Sequence, residues 1–242
     1  MDDLRLLEID LATSFQLTAD GRIAWENEPV PSLGPRLCLL EGEAGAVAAV
    51  RSDVGAAEDI LSIATGGPPW DEADALPARL PRLLALLEAE APVERASGGV
   101  VYQLPNGLTH DPAVIIVRGD SKAGGKLLAD LAANGMPPAL VEAGFLGVGD
   151  LWPPWVVATV SGQIAATAFA ARLGEAGAEI GVYTFAGFRG RGLAAAVTAA
   201  WSALPSLRGR ALFYSHAAQN QSSARVTQRL GLRRIGRSVR VT

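Results

Sequence analysis

Cysteine occurs once in 242 residues, as Cys38, and histidine twice, as His110 and His216. One thiol forms no intramolecular disulfide, and so few soft ligands leave no paired-cysteine zinc site, so no metal is expected. Cys38 lies in the apolar run 37–40, where a thiol packs as a small hydrophobe rather than serving as a nucleophile. No apolar run reaches the ~20 residues of a membrane-spanning helix. The acidic start Met1-Asp2-Asp3 does not suit a secretory signal, so a cytoplasmic protein with no membrane partner is expected. Low-complexity tracts are also missing. With 49% apolar and 19% charged residues, the chain should fold as one large or two small domains.

The most informative absence is of acid. Residues 180–242 contain no Asp or Glu and ten Arg, a charge of +10, which leaves −14 on residues 1–179 of a chain whose net charge is −4. A segment of that kind meets negative charge. Three partners fit: a nucleic acid, a phosphorylated cofactor, or the protein's own acidic first part. The segment also lacks lysine, whereas nucleic-acid surfaces interleave lysines and exposed aromatics with arginine, which argues against nucleic acid.

At the head of this segment stands Phe188-Arg189-Gly190-Arg191-Gly192-Leu193-Ala194. It follows a run, 179–185, with the composition of a strand. It precedes Leu193, Ala196, Val197, Ala200, Trp201 and Leu204, which share one face of an α-helix that Pro205 ends. Gly190 and Gly192 tolerate the dihedrals that turn a strand into a helix while several N–H groups converge. The unpaired N–H groups and dipole of the new helix then favour a phosphate.

Elsewhere, Phe15-Gln16-Leu17 and Ile23-Ala24-Trp25 flank a turn and read as a hairpin, after a weak alternation over 4–17. Strands are expected over 36–40, 44–50 and 98–102, and a helix over 76–88. Ala113-Val114-Ile115-Ile116-Val117 is apolar enough for a fully buried strand. The following Gly119 to Lys126 stretch imitates a nucleotide P-loop, but Gly119 is six residues before Gly125 and Leu127 stands where Ser or Thr would hold magnesium. It reads as a plain loop into a helix over 126–133, with a second helix over 138–145. Residues 155–160 and 164–171 form a hairpin around Ser161-Gly162-Gln163 and, with 179–185, three antiparallel strands. A strand over 211–216, a helix capped by Asn220 and ended by Gly231, and a strand over 233–241 complete the chain.

The order from about 152 onward, with Arg189-x-x-Gly192-x-Ala194 and then Asn220-x-x-Ser223 up to Leu230-Gly231-Leu232, resembles the GNAT superfamily of acetyl-CoA-dependent N-acetyltransferases. The likeness is close over the last ninety residues or so and extends loosely back to 109. Residues 1–108 resemble, more faintly, the leader of bacterial GNAT proteins of unassigned substrate, through Gly21-Arg22, Asn27-Glu28-Pro29, Pro35-Arg36 and Gly99-x-x-Tyr102. The resemblance implies a mixed α+β fold with a mostly antiparallel central sheet flanked by helices. It also implies a small α+β N-terminal domain, 1–108, before an acetyltransferase domain, 109–242.

Carried over residue by residue, the resemblance implies that the backbone of Val182, Tyr183 and Thr184 pairs with the pantetheine arm of acetyl-CoA. Arg189, Gly190, Arg191, Gly192, Leu193 and Ala194 would wrap the pyrophosphate, and Asn220 and Ser223 would touch the arm. Glu179 would take the proton of an amine acceptor that the sequence does not identify, in a direct transfer within a ternary complex. Thr227 occupies the position where the family places a tyrosine as general acid, which keeps open an acetyl-CoA sensor with little catalysis. Oligomeric state is left undetermined.

Overall fold

The computed structural model describes residues 1–70 and 76–242. Its first element is a helix, α1 (Asp3–Ser14), where the sequence shows only weak alternation. Asp2 caps it, its carboxylate accepting from the Arg5 N–H at 2.8 Å. Of its seven buried side chains, Leu6, Leu7, Asp10, Thr13 and Ser14 recur at helical spacing, but three of these are polar. Polar groups on the inward face hide the 3.6-residue period from any reading based on apolar residues.

A small hairpin, β1 (Phe15–Leu17) and β2 (Ile23–Glu26), forms its own sheet. Then follow β3 (Leu37–Gly42), β4 (Gly45–Val50), α2 (Ala57–Thr65), α3 (Leu80–Glu88) and β5 (Ala96–Leu104). The remaining elements are β6 (Ile115–Arg118), α4 (Lys122–Asn134), α5 (Pro138–Glu142), β7 (Trp155–Val160), β8 (Gln163–Leu173), β9 (Gly177–Thr184), α6 (Leu193–Ser202), β10 (Ala211–Ala217), α7 (Gln221–Arg229) and β11 (Arg233–Val241). Nine strands make one mixed sheet in the order β4-β3-β11-β5-β10-β9-β8-β7-β6. Every pairing is antiparallel except β9 with β10.

Strand alternation assigns the helices to faces. Leu212 and Tyr214 pack with α6, while Phe213 packs with Leu6 and Leu7 of α1 on the other side. Val156 and Ala158 face α6, whereas Trp155 and Val157 face the layer of α4 and α5. Leu37 and Leu39 face α2 and α3, and Cys38 and Leu40 face α1. So α1, α4 and α5 cover one face, and α2, α3, α6 and α7 the other.

The fully buried strand expected over 113–117 is instead an edge strand: β6 has a neighbour only on the β7 side, and Ile115 is 64% exposed. Strand β5, from before position 109, lies between β10 and β11 and pairs with both. Residues on either side of that position therefore share one sheet. Further ties come from Glu26 on β2, which binds Arg172 at 2.8 Å and Arg240 at 3.4 Å, and from Glu28, which binds Arg172 at 2.7 Å.

Candidate functional site

Strands β9 and β10 pair only at Gly177, Ala178 and Glu179 against Ala211, Leu212 and Phe213. Beyond that point they diverge. Residues 180–184 keep β8 on one side and have no strand on the other, so half of their backbone donors and acceptors face open space in the middle of a sheet. This is a ready edge for an extended guest. Below the gap the chain turns through Gly190 (φ 77°) and Gly192 (φ 76°), both left-handed, into α6.

A cleft of about 600 Å³ occupies this place, on the face of α6 and α7. Val182, Tyr183, Thr184, Arg189, Gly190, Gly192, Leu193, Ala194, Asn220 and Ser223 all line it. Arg191 does not: its guanidinium lies 5.5 Å from the Phe188 ring centre and donates to the Gly187 carbonyl at 3.3 Å. Within the loop, the N–H of Arg189 meets the Ala186 carbonyl at 3.4 Å, whereas those of Gly190, Arg191 and Gly192 have no carbonyl partner among the described residues. The N–H groups of Leu193, Ala194 and Ala195 open a helix and have no acceptor in the preceding turn.

Besides Tyr214, the cleft contains Arg225 and Arg229, which motif reading missed. The acid-free composition of 180–242 was their only signal. Among the described residues, Arg189, Arg225 and Arg229 form no ion pair. Arg189 donates Nε to the Thr184 carbonyl at 3.2 Å, and Arg225 reaches Ser222 Oγ at 3.5 Å. A Cβ on Gly192 would lie 2.7 Å from Arg229 Nη1, so loop and guanidinium are in close contact. Thr184 Oγ1 is buried without a hydrogen-bond partner.

Asn220 Oδ1 accepts from the Ser223 N–H at 3.1 Å, so this side chain both caps α7 and borders the cleft. Burial pushes the Tyr214 phenol above its ordinary pKa, and a hydrogen bond with the Ser223 side chain pulls it partly back. Thr227 does not line the cleft: it is buried, and its hydroxyl donates to the Ala224 carbonyl at 2.9 Å. Glu179 is elsewhere too. It lines a separate cavity under α1, on the opposite face of the same gap.

The arrangement accepts an elongated ligand that presents an anionic group to the amides and guanidinium groups and amide groups to the open strand. A family model described as GNAT acetyltransferase matches residues 156–237. That stretch is therefore similar to the GNAT acetyltransferase family. No curated protein matches the chain. Among solved structures, a GCN5-related N-acetyltransferase-like protein from Streptococcus suis is 19% identical, with 86% of this chain and 84% of that one covered and a TM-score of 0.44. A GCN5-related N-acetyltransferase from Kribbella flavida is 17% identical, over 66% of this chain and 63% of that one, at a TM-score of 0.43. An acetyltransferase of the GNAT family from Colwellia psychrerythraea is 16% identical, over 68% and 61%, at a TM-score of 0.40. The chain thus spans less than two thirds of the length of the last two.

The matched residues run from β7 into β11, and they include the loop, the open length of β9 and Asn220. Two strands that flank β11 in the sheet, β3 and β5, come from outside the match. Among the described residues no group of three or more His, Cys, Asp or Glu is placed to hold a metal ion, and no helix is long and apolar enough to cross a membrane.

Proposed function

We propose that the protein is an N-acetyltransferase that moves the acetyl group of acetyl-CoA to a primary amine by direct attack in a ternary complex. One observation carries this: residues 180–184 have no strand on the β10 side, and that open edge leads into a loop of unpartnered amides flanked by guanidinium groups without carboxylates. Coenzyme A offers the matching chemistry, an extended amide-bearing arm joined to a diphosphate.

Val182, Tyr183 and Thr184 are suited to hold the arm as an added strand. Arg189, Gly190, Gly192, Leu193 and Ala194 are suited to hold the diphosphate, with Arg225 and Arg229 supplying charge, Arg191 flanking the loop, and Asn220 and Ser223 along the arm. Each charge-assisted hydrogen bond of this kind contributes about 1.5–3 kcal/mol net. The orphaned Thr184 Oγ1 and the bare Cα of Gly192 against Arg229 fit such a guest.

When bound, acetyl-CoA supplies a thioester carbonyl open to attack by an amine. Glu179 is proposed to take the proton that an aliphatic amine, with a reference pKa of about 10.4, carries at neutral pH. A backbone N–H near Val182 is available to the carbonyl oxygen. Thr227 cannot hand a proton to the departing sulfur, because its hydroxyl is committed to Ala224. Tyr214 borders the cleft and stays protonated, its pKa raised by burial. A thiol with a reference pKa near 8.5 leaves readily even without that help. We assign residues 1–108 the role of completing the sheet and roofing the acceptor side.

The commitment of Thr227 also favours a second reading, an acetyl-CoA sensor with little catalysis. Calorimetric titration with acetyl-CoA tests both, and no heat at high micromolar ligand ends them together. Gly192→Glu puts a carboxylate beside the diphosphate site in a backbone conformation suited to glycine, and is expected to lower affinity more than about tenfold. Unchanged affinity would place the diphosphate elsewhere. Thiol release in the presence of a series of primary amines separates enzyme from sensor.

A further inference from the structure

The cavity that contains Glu179 has a volume of about 290 Å³. It opens beside the gap in the sheet, on the face opposite the cleft. Glu179 is the last β9 residue paired with β10, and Ser215 and Ala217, also on its wall, lie beyond the last paired residue of β10, Phe213. Helix α1 contributes Asp10 and Ser14 from above.

Asp10 is 3% exposed, lies on the cavity wall, and has one carboxylate oxygen buried with no hydrogen-bond partner. Such an atom is costly to keep unless something meets it. The nearby cation offsets this only in part. Arg240 is held by Glu26 at 3.4 Å, and its guanidinium lies 5.0 Å from the Phe15 ring centre. Cys38 adds no charge, since burial pushes its thiol up to about 12. Arg95, the other cation on the wall, is exposed to solvent. Glu179 forms no side-chain hydrogen bond among the described residues and adds a second carboxylate. The wall also carries Arg240, His216 and the hydroxyls of Ser14, Ser97, Ser215 and Ser238, yet none of them hydrogen-bonds this Asp10 oxygen, and a guanidinium shared with Glu26 faces both Asp10 and Glu179; an ammonium group adds a donor and a charge.

We propose that this cavity seats the acceptor as a compact ammonium ion, with Asp10 as its counter-ion. The assignment rests on the transferase reading for the word acceptor, and on the cavity alone for the ammonium. Size follows from the volume: about 290 Å³ is at the small end of the range for ligand pockets, which suits a small aliphatic amine or a single lysine-like side chain and excludes a bulky polycationic one. Asp10 comes from outside residues 156–237, so specificity for the amine is supplied by α1 and not by the matched domain. Burial and the nearby Glu179 raise the Asp10 pKa, as expected for a carboxylate still lacking its cation.

The test is a ligand-detected NMR titration of the full chain with ethylammonium chloride, with ethanol as the neutral counterpart and kanamycin as the bulky polycation. Acetyl-CoA affinity is measured separately by calorimetry. Ethylammonium is expected to bind in the millimolar range with or without coenzyme A, and ethanol and kanamycin not to displace it. Asp10→Asn should weaken ethylammonium at least about tenfold and leave acetyl-CoA affinity unchanged. Ser215→Leu, which fills the cavity from β10, should do the same. Either no ethylammonium binding up to about 20 mM, a free-energy scale too weak for a substrate, or equal binding by all three proteins overturns the proposal. Loss of acetyl-CoA binding alone would instead remove the transferase reading and leave the ammonium site standing.

Discussion

Asp10 links stability to pH with a definite sign. Its pKa is raised by burial first and by Glu179 second, and Arg240 offsets them only partly. A carboxyl whose folded pKa exceeds its unfolded value contributes stability that is full below the unfolded value, about 3.9, and is lost as pH rises through the folded one. Asp10→Asn removes the ionisation and keeps the shape. It is expected to be more stable than the native chain near pH 7, by about 1–3 kcal/mol, and the difference should shrink toward pH 4. Urea denaturation at both pH values checks this, and a less stable variant at pH 7 would mean that Arg240 already neutralises the site. Nothing in the sequence announces Asp10, because a lone acid in a weakly amphipathic stretch has no signature until the fold buries it. Arg189, Gly192 and Asn220 differ in that respect. Their places at the cleft depend on local turn and cap geometry, and spacing alone records those.

Among the elements, α6 sets the position of the loop. Trp201 is fully buried and donates its indole N–H to the Pro154 carbonyl at 2.8 Å, tying the far end of the helix to the strand entry of β7. Trp201→Ala is expected to cost about 3–5 kcal/mol and to weaken acetyl-CoA as the helix start loosens, read by thermal denaturation and calorimetry on the same sample. Unchanged binding in a destabilised variant would show that the loop holds its shape without the helix. The apolar stripe from Leu193 to Trp201 made this element readable in advance, as turn residues did for β7, β8 and β9. The burial of β6 was not readable. Its apolar run suits a central strand, and only the tertiary order leaves it at the edge with Ile115 exposed. For α1 the obstacle was the reverse, since Asp10, Thr13 and Ser14 occupy its inward side.

At the scale of the whole molecule, the charge asymmetry divides in two. Arg233 and Arg240 turn to Asp3 at 2.5 Å and Glu26 at 3.4 Å, so part of the acid-free segment meets the acidic first part of the chain. Among the described residues, Arg189, Arg225 and Arg229 stay at the cleft without carboxylates, where the proposed cofactor would meet them. Sequence order suggested a boundary near 108, but order along the chain does not report which strands become neighbours. A fragment of residues 109–242 lacks β5 and so leaves β10 and β11 each without their shared partner. It is expected to show no cooperative unfolding and to bind a hydrophobic dye, while mixing it with residues 1–108 restores a cooperative transition. A fragment that unfolds cooperatively by itself would show that β10 and β11 can close on each other. The insertion of β5 also sets a timetable for synthesis. On the ribosome this strand emerges more than a hundred residues before either neighbour, so it must wait, open to stray pairing, until β11 has left the exit tunnel.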